Sequence, residues 1–369
     1  MKRLVVKIGS NILADDREGQ TEGLNMERIG AIAEDVVALK AMEYEIVVVS
    51  SGAVAAGMKK LGLREKPREI KLKQAAAAIG QSSLMWSYEK AFGGRQTKVA
   101  QILLTRDDLA NRKRYINSKN TLLTLLSYGI VPVVNENDTV VTDEIKFGDN
   151  DNLAALVAIM IEAERLIILS DVDGLYHEDP RRNPGAELIA SVDRITDSIE
   201  KKAGDAGSAV GTGGMYSKLR AAGKATSHGI AVNIVNGRKK GLLVSLMEGR
   251  PQGTFFRPRE GRLTNRKGWI AYGSRAAGTV ILDEGAVRAL TEMGKSLLPS
   301  GITGVSGDFD AGAPVFCTDS EGKRIAKGLT NYSSSDIRKI SGRKTTEIEG
   351  ILGYKYSDEI IHRDNLVVL

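Results

Sequence analysis

A lysine followed by a glycine turn closes the first apolar run of the chain. Lys7 stands near the end of the β-branched run 4–8, and Gly9 and Ser10 follow at once. A lysine at a strand end can reach phosphate oxygens, while the N–H groups of the turn approach the same anion. The motif is compatible with phosphate binding, although one lysine on a strand is commonplace.

A turn of small residues follows the second apolar run, 46–49. Ser51 and Gly52 lie in this turn, and a helix is predicted to begin directly after it. Exposed N–H groups and the helix dipole favour an anion, so a carboxylate could approach the backbone here. Tight packing of a helix against the sheet explains the same residues equally well, and both explanations can hold together.

Two Asp/Asn clusters follow the fourth apolar run, 130–134. The first is N-E-N-D at 135–138, and the second is F-G-D-N-D-N at 147–152, where a helix is predicted to start. Capping alone needs fewer such residues. An EF-hand loop is excluded, because Leu153 stands where its glycine belongs and no suitably spaced glutamate follows. The clusters could bind a substrate ammonium group and orient nearby lysines.

A glycine-rich loop, G-T-G-G-M-Y-S-K at 211–218, opens another predicted helix, and Ser170 and Asp171 follow the fifth apolar run. Glycine N–H donors and the Lys218 cation would form a phosphate cradle. A P-loop is excluded, because Ala289 replaces the glycine required before the single Gly-Lys-Ser sequence. A dinucleotide fingerprint is excluded too, since no G-x-G-x-x-G follows the first strand.

The elements that must position these motifs alternate between strand and helix over the first 235 residues. Apolar, β-branched runs typical of buried strands occupy 4–8, 46–49, 99–104, 130–134, 166–169 and 230–235. Helical segments are predicted at 26–42, 70–92, 119–128, 152–163 and 216–228. This alternation predicts an α/β fold, a three-layer sandwich whose mainly parallel sheet is covered on both faces. Ligands of such sheets bind at the carboxyl ends of the strands, where the polar motifs cluster.

The pattern changes after residue 235 to short strands (279–282, 313–317) and short helices (284–292, 334–340) separated by glycines. A chain of 369 residues also exceeds the usual size of one domain. We predict a first domain at 1–255, a linker at 256–268, and a small mixed β-barrel domain at 269–369.

Composition excludes several classes of protein. Cys317 is the one cysteine, so an intramolecular disulfide and a cysteine-rich zinc site are excluded. The three histidines lie far apart, and we expect no metal site built from protein side chains. No apolar run suits a signal peptide or a membrane span, so a cytoplasmic location is expected. The net charge of +6 arises largely from basic residues at 236–267. We interpret this segment as a solvated connector rather than a nucleic-acid site.

In chain order, the motifs K-I-G-S, S-S-G-A-V-A-A-G, N-E-N-D, F-G-D-N-D-N, S-D-V-D-G-L-Y and G-T-G-G-M-Y-S-K resemble those of the amino acid kinase family. The resemblance is strongest to the members that phosphorylate glutamate. It covers nearly the whole chain, because the tail from Trp269 is similar to the PUA domain that many of those members carry. The resemblance implies transfer of the ATP γ-phosphoryl group, with Mg²⁺, to the side-chain carboxylate of L-glutamate. The product would be L-glutamyl 5-phosphate, and the reaction the first step of proline biosynthesis.

The resemblance also implies a role for each motif residue. Lys7 and Lys218 would stabilise the phosphoryl group in transit, and Asp151 would orient the two lysines. Glutamate would be held by Ser51, Gly52, Asp138 and Asn150. The residues implied in ATP binding are Lys7, Ser170, Asp171, Thr212, Gly213, Gly214, Met215, Tyr216, Ser217 and Lys218. Further implications are feedback inhibition by proline and assembly into a homodimer or homotetramer. The lack of a long apolar run separately predicts no association with membranes.

Two alternatives stay open. The protein could chiefly bind RNA through its PUA-like domain, or the same fold could act on aspartate, N-acetylglutamate, carbamate or UMP. The Asp/Asn clusters favour glutamate. A glutamate side chain, with an ordinary pKa of about 4.3, is already an anionic nucleophile at neutral pH and needs no general base. Catalysis then consists mainly of positioning and of neutralising charge on the transferred oxygens.

Overall fold

The fold is described from a computed structural model of the chain. The structure describes residues 1–14, 23–63, 65, 67, 69–140, 150–180, 183–196, 199, 214–259, 267, 270–271 and 274–369, with the backbone alone at 112 and 113. The chain forms two compact units. The larger comprises Met1–Leu109 and Lys113–Arg262, and the smaller comprises Ala110–Arg112 and Leu263–Leu369.

A mainly parallel sheet of eight described strands forms the centre of the larger unit, in the order β3-β4-β2-β1-β5-β7-β8-β6. The strands are β1 (Lys2–Ile8), β2 (Tyr44–Ser50), β3 (Val99–Leu104), β4 (Val131–Glu136), β5 (Arg165–Ser170), β6 (Ser191–Val192), β7 (Ala231–Asn236) and β8 (Thr254–Phe256). Pairing is parallel from β3 through β7, whereas β8 runs antiparallel to β7. The prediction of a mainly parallel sheet is confirmed.

Helices connect these strands and cover the sheet. They are α1 (Ser10–Leu13), α2 (Met26–Ala41), α3 (Ala53–Lys60), α4 (Ile70–Gly93), α5 (Arg106–Ala110), α6 (Arg112–Ser127), α7 (Asn150–Met160), α8 (Met215–Ser227) and α9 (Leu242–Met247). Helix α6 begins at Arg112 rather than at 119, because the buried Tyr115 extends its apolar side by two turns before the buried Leu122. The short elements α1, α5, α9, β6 and β8 were not predicted, since each has too few residues to show a period.

Both faces of the sheet are buried. Leu4, Val6 and Ile8 of β1 join a core that α2, α4 and α9 also line. The alternation of side chains along a strand places Val5 on the opposite face, and α7 packs against β1 and β5. Helix α7 is buried almost all round, as expected for a helix in the middle of a packed layer. Within the described ranges no helix has both the length and the apolar character needed to cross a membrane.

The smaller unit contains a mixed sheet in the order β10-β9-β11-β12-β13. Its strands are β9 (Gly278–Leu282), β10 (Ile302–Ser306), β11 (Pro314–Thr318), β12 (Arg324–Leu329) and β13 (Leu366–Val368), and its helices are α10 (Glu284–Thr291), α11 (Ser334–Ile340) and α12 (Ile348–Leu352). Strand β9 pairs parallel to β11 and antiparallel to β10, as a mixed sheet requires. A separate core, including Val280, Cys317 and Ile337, stabilises this unit.

Candidate functional site

The carboxyl ends of β1, β2 and β5 meet at one edge of the sheet. The N–H of Gly9 donates to the carbonyl of Leu169, and the N–H of Ser51 donates to the carbonyl of Ile8, each over 3.2 Å. These bonds hold the turn after β1 between the ends of its two neighbours. Motifs that lie far apart in the chain are therefore adjacent in space, as expected for the ligand-binding edge of a parallel sheet.

The Asp151 carboxylate lies between two lysines at this edge. Its Oδ1 forms an ion pair with Nζ of Lys7, and its Oδ2 lies 3.2 Å from Nζ of Lys218. The exposed fractions of Asp151, Lys7 and Lys218 are 0%, 3% and 6%, so the cluster is buried. Strand β1, helix α7 and helix α8 each supply one residue. The structure thus brings together the three residues for which the sequence predicted a catalytic role.

Charge in this cluster keeps Asp151 ionised. Burial raises the pKa of Asp151, but the positive charges of Lys7 and Lys218, with hydrogen bonds from Lys7 and Ser217, outweigh burial and hold the pKa below its ordinary value. Two ammonium groups therefore face one carboxylate. This arrangement suits a ligand that brings negative charge, such as a phosphoryl group.

Ser217 contacts the same carboxylate. Its Oγ lies 2.9 Å from Oδ2 of Asp151 and 2.8 Å from the carbonyl oxygen of Gly214, the residue that precedes α8. A hydroxyl carries one hydrogen, so Ser217 can donate to either acceptor but not fully to both. The sequence predicted only a nucleotide contact for Ser217. The structure adds a role in fixing Asp151.

The rest of the predicted phosphate cradle is described in part. Met215 and Tyr216 open α8, Met215 half-buried and Tyr216 exposed with Arg220 over its ring. Thr212 and Gly213 lie outside the described residues, as does position 211.

Asn150 and Ser51, both predicted to bind substrate, are in contact. Nδ2 of Asn150 lies 3.1 Å from Oγ of Ser51 and 2.6 Å from the carbonyl oxygen of Ser50. Gly52 follows in the left-handed region, at φ 102°, and precedes α3. Asp138 lies half-buried in the turn after β4. Positions 147–149 of the second Asp/Asn cluster are outside the described residues.

Asp171 is held by the side chains of its neighbour Ser170 and of Asn11 in α1. Oγ of Ser170 donates to Oδ1 of Asp171 over 3.3 Å, and Nδ2 of Asn11 donates to Oδ2 over 2.9 Å. Burial raises the pKa of Asp171, but hydrogen bonds led by that from Asn11, with the charge of Lys218, hold it below its ordinary value. Asn11 lies in α1 and was missed by sequence reasoning, although its position directly after the K-I-G-S motif was the available signal.

The small residues after β2 serve a helix–helix contact. A Cβ built on Gly57 of α3 would lie 1.7 Å from the carbonyl oxygen of Ala76, and one on Gly80 of α4 would lie 1.7 Å from that of Ala53. Neither position has room for any side chain. The predicted packing role is therefore real, but its partner is α4 rather than the sheet alone.

Family models and individual relatives match this chain over most of its length. The model of the amino acid kinase family matches residues 2–236, and that of the PUA domain matches residues 278–352. The chain is 53% identical over 368 residues to a glutamate 5-kinase of Syntrophotalea carbinolica, covering 100% of this chain and 97% of that protein. It is 54% identical over 369 residues to a glutamate 5-kinase of Geobacter sulfurreducens, covering 100% and 98%.

Solved structures support the fold alone. A carbamate kinase from Giardia lamblia bound to AMP-PNP aligns with a TM-score of 0.51 at 16% identity, over 70% of this chain and 99% of that one. An isopentenyl phosphate kinase in its substrate complex aligns with a TM-score of 0.50 at 20% identity, over 70% and 100%. The family match over more than half of the chain, the similarity to these relatives along its whole length and the buried lysine–aspartate cluster agree: the chain belongs to the amino acid kinase family.

Proposed function

We propose that the protein transfers the γ-phosphoryl group of ATP to the side-chain carboxylate of L-glutamate, forming L-glutamyl 5-phosphate in the first step of proline biosynthesis. The observation that carries the proposal is the buried Lys7–Asp151–Lys218 cluster at the ligand-binding edge of the sheet. The name glutamate 5-kinase, printed for relatives about half identical along the whole chain, supports the choice of substrate.

The reaction needs no proton transfer to begin. A carboxylate oxygen of glutamate forms a bond to the γ-phosphorus, the bond from that phosphorus to the β,γ-bridging oxygen breaks, and ADP leaves with the electron pair. With an ordinary pKa of about 4.3, the attacking carboxylate is ionised at neutral pH. The obstacle is electrostatic repulsion between two anions, so the protein must supply positive charge at the transferred group.

We assign that role to Lys7 and Lys218. Their ammonium groups would neutralise charge on the transferred phosphoryl oxygens as it develops. Asp151 would keep both lysines in position, and Ser217 would keep Asp151 in position. Because these groups are buried and already paired, little reorganisation is needed when the transition state forms.

The substrates would approach this cluster from two sides. We propose that Ser51, Gly52, Asp138 and Asn150 hold glutamate. ATP would contact Ser170, Asp171, the residues Thr212, Gly213 and Gly214 that precede α8, and the first turn of α8. Support comes from the adjacency of these motifs at the strand ends.

Mg²⁺ would accompany ATP and neutralise charge on its phosphates. Within the described residues no three His, Cys, Asp or Glu side chains are grouped to enclose a metal ion. Mg²⁺ in proteins commonly retains several waters and is bound through one or two carboxylates plus substrate phosphates, so a single ionised carboxylate beside ATP fits it. Asp171, exposed and held in its ionised form, is the carboxylate that we assign to this contact.

We also propose a domain division, a cellular location, a regulator and an oligomeric state for the protein. We retain a kinase domain at 1–255, a linker at 256–268 and a PUA-like domain at 269–369, a division supported by the separate cores of the two units. We also propose a cytoplasmic location, feedback inhibition by proline and assembly into a homodimer or homotetramer. These last proposals rest on the family resemblance.

Trapping of the product with hydroxylamine tests the function. L-glutamate, aspartate, N-acetylglutamate and carbamate would each be supplied with ATP and Mg²⁺, alongside a UMP-dependent assay of ADP release. We expect hydroxamate from glutamate alone, in keeping with the relatives named above, and its formation would identify the product as an acyl phosphate because hydroxylamine reacts with that group. Turnover with another acceptor would overturn the specificity, and no turnover with any acceptor would overturn the kinase assignment.

A further inference from the structure

A relay of side-chain amides runs from α4 to the proposed glutamate site. Oε1 of Gln81 accepts a hydrogen bond from Nδ2 of Asn135 over 2.8 Å, and Oδ1 of Asn135 accepts one from Nδ2 of Asn150 over 2.8 Å. Asn135 is 2% exposed and Gln81 is half-buried. Gln81 belongs to none of the motifs to which the reaction assigns a role.

The relay has a fixed polarity, because each carboxamide has a donor end and an acceptor end. Oδ1 of Asn135 also accepts from the N–H of Glu136 over 2.9 Å, so its Nδ2 must face Gln81. Asn150 in turn directs Nδ2 towards Asn135 and Ser50. Among the described residues, the side-chain hydrogen bonds of Asn150 all use Nδ2, which leaves Oδ1 as the end directed away from the relay.

The position of Gln81 is set by the helix that carries it. The adjacent Gly80 lies so close to Ala53 of α3 that a Cβ there would be 1.7 Å from the Ala53 carbonyl oxygen. This contact fixes α4 laterally beside the start of α3, which directly follows Ser51 and Gly52. Gln81 is therefore attached to a rigid support rather than to a loop.

Fold stability does not explain a glutamine at this position. Nδ2 of Asn135 uses Oε1 of Gln81, but Nε2 of Gln81 is buried and has no hydrogen-bond partner among the described residues. A buried donor without a partner destabilises a fold, so only the acceptor half of the amide makes a favourable contact. The acceptor is the group that sets the orientation of Asn135.

We propose that Gln81 is a positioning residue for the substrate. Acting through Asn135, it holds the Asn150 carboxamide with Oδ1 towards the bound amino acid. A carbonyl oxygen there accepts a hydrogen bond from the α-ammonium group of glutamate and not from a carboxylate. This inference rests on the proposed function, since it assigns one end of glutamate to one atom of the site.

Gln81→Met tests the relay, because methionine has a similar length and lacks the amide. We expect the KM for glutamate to rise about tenfold, while kcat and the KM for ATP stay within about twofold of wild type. Gln74→Met is the matched control, with the same chemical change two turns earlier on α4, and it should leave the KM for glutamate unchanged. Equal increases in both KM values would indicate a general packing defect and overturn the proposal.

A double-mutant cycle with Asn150→Ala separates positioning from independent effects. If Gln81 acts through Asn150, adding Gln81→Met to Asn150→Ala should change the KM for glutamate by less than about twofold. A full tenfold further increase would overturn the proposal.

Gln81→Glu is the alternative variant if Gln81→Met does not fold. It keeps the acceptor for Asn135, so its KM for glutamate should remain closer to that of wild type than the KM of Asn150→Ala does. A loss as large as that of Asn150→Ala would contradict the relay.

The wild-type chain in the same assay distinguishes a failure of the proposed function from a failure of the relay. No glutamate-dependent turnover by the wild type would overturn the proposed function, and the substrate assignment of Asn150 with it. Normal turnover by the wild type, combined with an unchanged KM for glutamate in Gln81→Met, would overturn the relay alone.

Discussion

At the scale of single residues, the site depends on one carboxylate that pairs with two buried ammonium groups. Asp151 stabilises the close approach of Lys7 and Lys218, whose charges would otherwise repel each other in a poorly solvated environment. The same arrangement leaves positive charge available for a phosphoryl group. Folding stability and the proposed catalysis therefore depend on the same three side chains, with different consequences when each is removed.

Replacement of either lysine should affect the reaction much more than the fold. In Lys7→Met and Lys218→Met we expect kcat to fall about 10²- to 10³-fold, because one group that neutralises the transferred oxygens is lost. The remaining lysine still pairs with Asp151, so circular dichroism should be unchanged. Lys90→Met, at an exposed lysine over the Trp86 ring, is the control. Near wild-type turnover in either site variant would contradict the assignment.

Replacement of Asp151 should affect the fold as well. Asp151→Asn leaves two buried cations without a counterion, and we expect a loss of about 3–5 kcal/mol in the free energy of unfolding. The difference should depend on pH, because the pKa of Asp151 is lowered from its ordinary value of 3.8. The stabilisation is fully present above that value and is lost as pH falls through the lower pKa of the folded state.

Urea unfolding of wild type and Asp151→Asn at neutral pH and near pH 3 measures this effect. The difference between the two proteins should shrink at the acidic pH, since protonation removes the same charge that the variant lacks. A difference that is constant across this range would show that Asp151 stabilises the fold by something other than its charge.

At the scale of elements, close contacts between helices fix the geometry around the substrate turn. Helices α3 and α4 touch through Gly57 and Gly80, so backbone meets backbone where most helix pairs are separated by side chains. The site therefore relies on positions that carry no functional group. Sequence variation there should act on stability through steric overlap.

Gly80→Ala tests the helix contact. The added methyl group must displace the Ala53 carbonyl, and we expect a loss of about 1–3 kcal/mol in the free energy of unfolding. Gly30→Ala, on α2, is the matched control because its Cβ would meet no atom within 4 Å. That control should gain about 0.5–1 kcal/mol from helix propensity. Equal effects of the two substitutions would refute the close contact.

A hydrogen bond between a side chain and the backbone joins α2 to the start of α9. Oδ2 of Asp35, 7% exposed, accepts from the N–H of Leu243 over 3.0 Å. Burial is the main cause that raises the pKa of Asp35, with a further increase from the charge of Glu34, and the backbone hydrogen bonds oppose it. Ionisation of Asp35 therefore weakens the fold above its raised pKa, and protonation relieves that effect as pH falls.

Asp35→Asn keeps an oxygen acceptor and removes the ionisation. We expect the variant to gain stability relative to wild type as the pH rises from about 4 to about 7, because only wild type then carries the buried charge. Chemical unfolding at the two pH values measures the relative change. A relative loss on going to the higher pH would mean that the carboxylate charge stabilises α9.

At the scale of the whole molecule, the two units have separate hydrophobic cores. One core cluster of the larger unit lies on the sheet face that carries Leu4 and Leu169, opposite the face that α7 covers, whereas the core of the smaller unit surrounds residues such as Ile337. The candidate site lies entirely in the larger unit. Ligand binding and the stability of the smaller unit should therefore be measurable as separate quantities.

Calorimetry tests this separation. We expect heat unfolding that is not two-state, in which ATP with glutamate raises the transition of the larger unit by mass action. Ile337→Ala, at a residue with 0% exposure, should lower only the other transition by several degrees, in line with a loss of about 2–5 kcal/mol for such truncations. One transition shifted equally by the ligands and by the substitution would contradict two separately unfolding units.

The sequence by itself determined the alternation of strands and helices and the mainly parallel sheet, and the resemblance of its motifs to the amino acid kinase family indicated the three catalytic candidates. It could do so because a strand buried on both faces needs a continuous apolar run, such as 4–8, and because charged motifs stand out where such runs end. Short elements such as β6 and β8 were missed, since two or three residues show no period.

Only the tertiary structure decided which side chains act together. The contact of Ser217 with Asp151, the hold of Asn11 on Asp171 and the relay through Gln81 join residues from different elements. Hydrogen bonds of this kind depend on distances of about 3 Å between atoms that chain spacing does not constrain. The sequence shows which residues carry chemical groups, whereas packing of the helices against the sheet determines which of those groups meet.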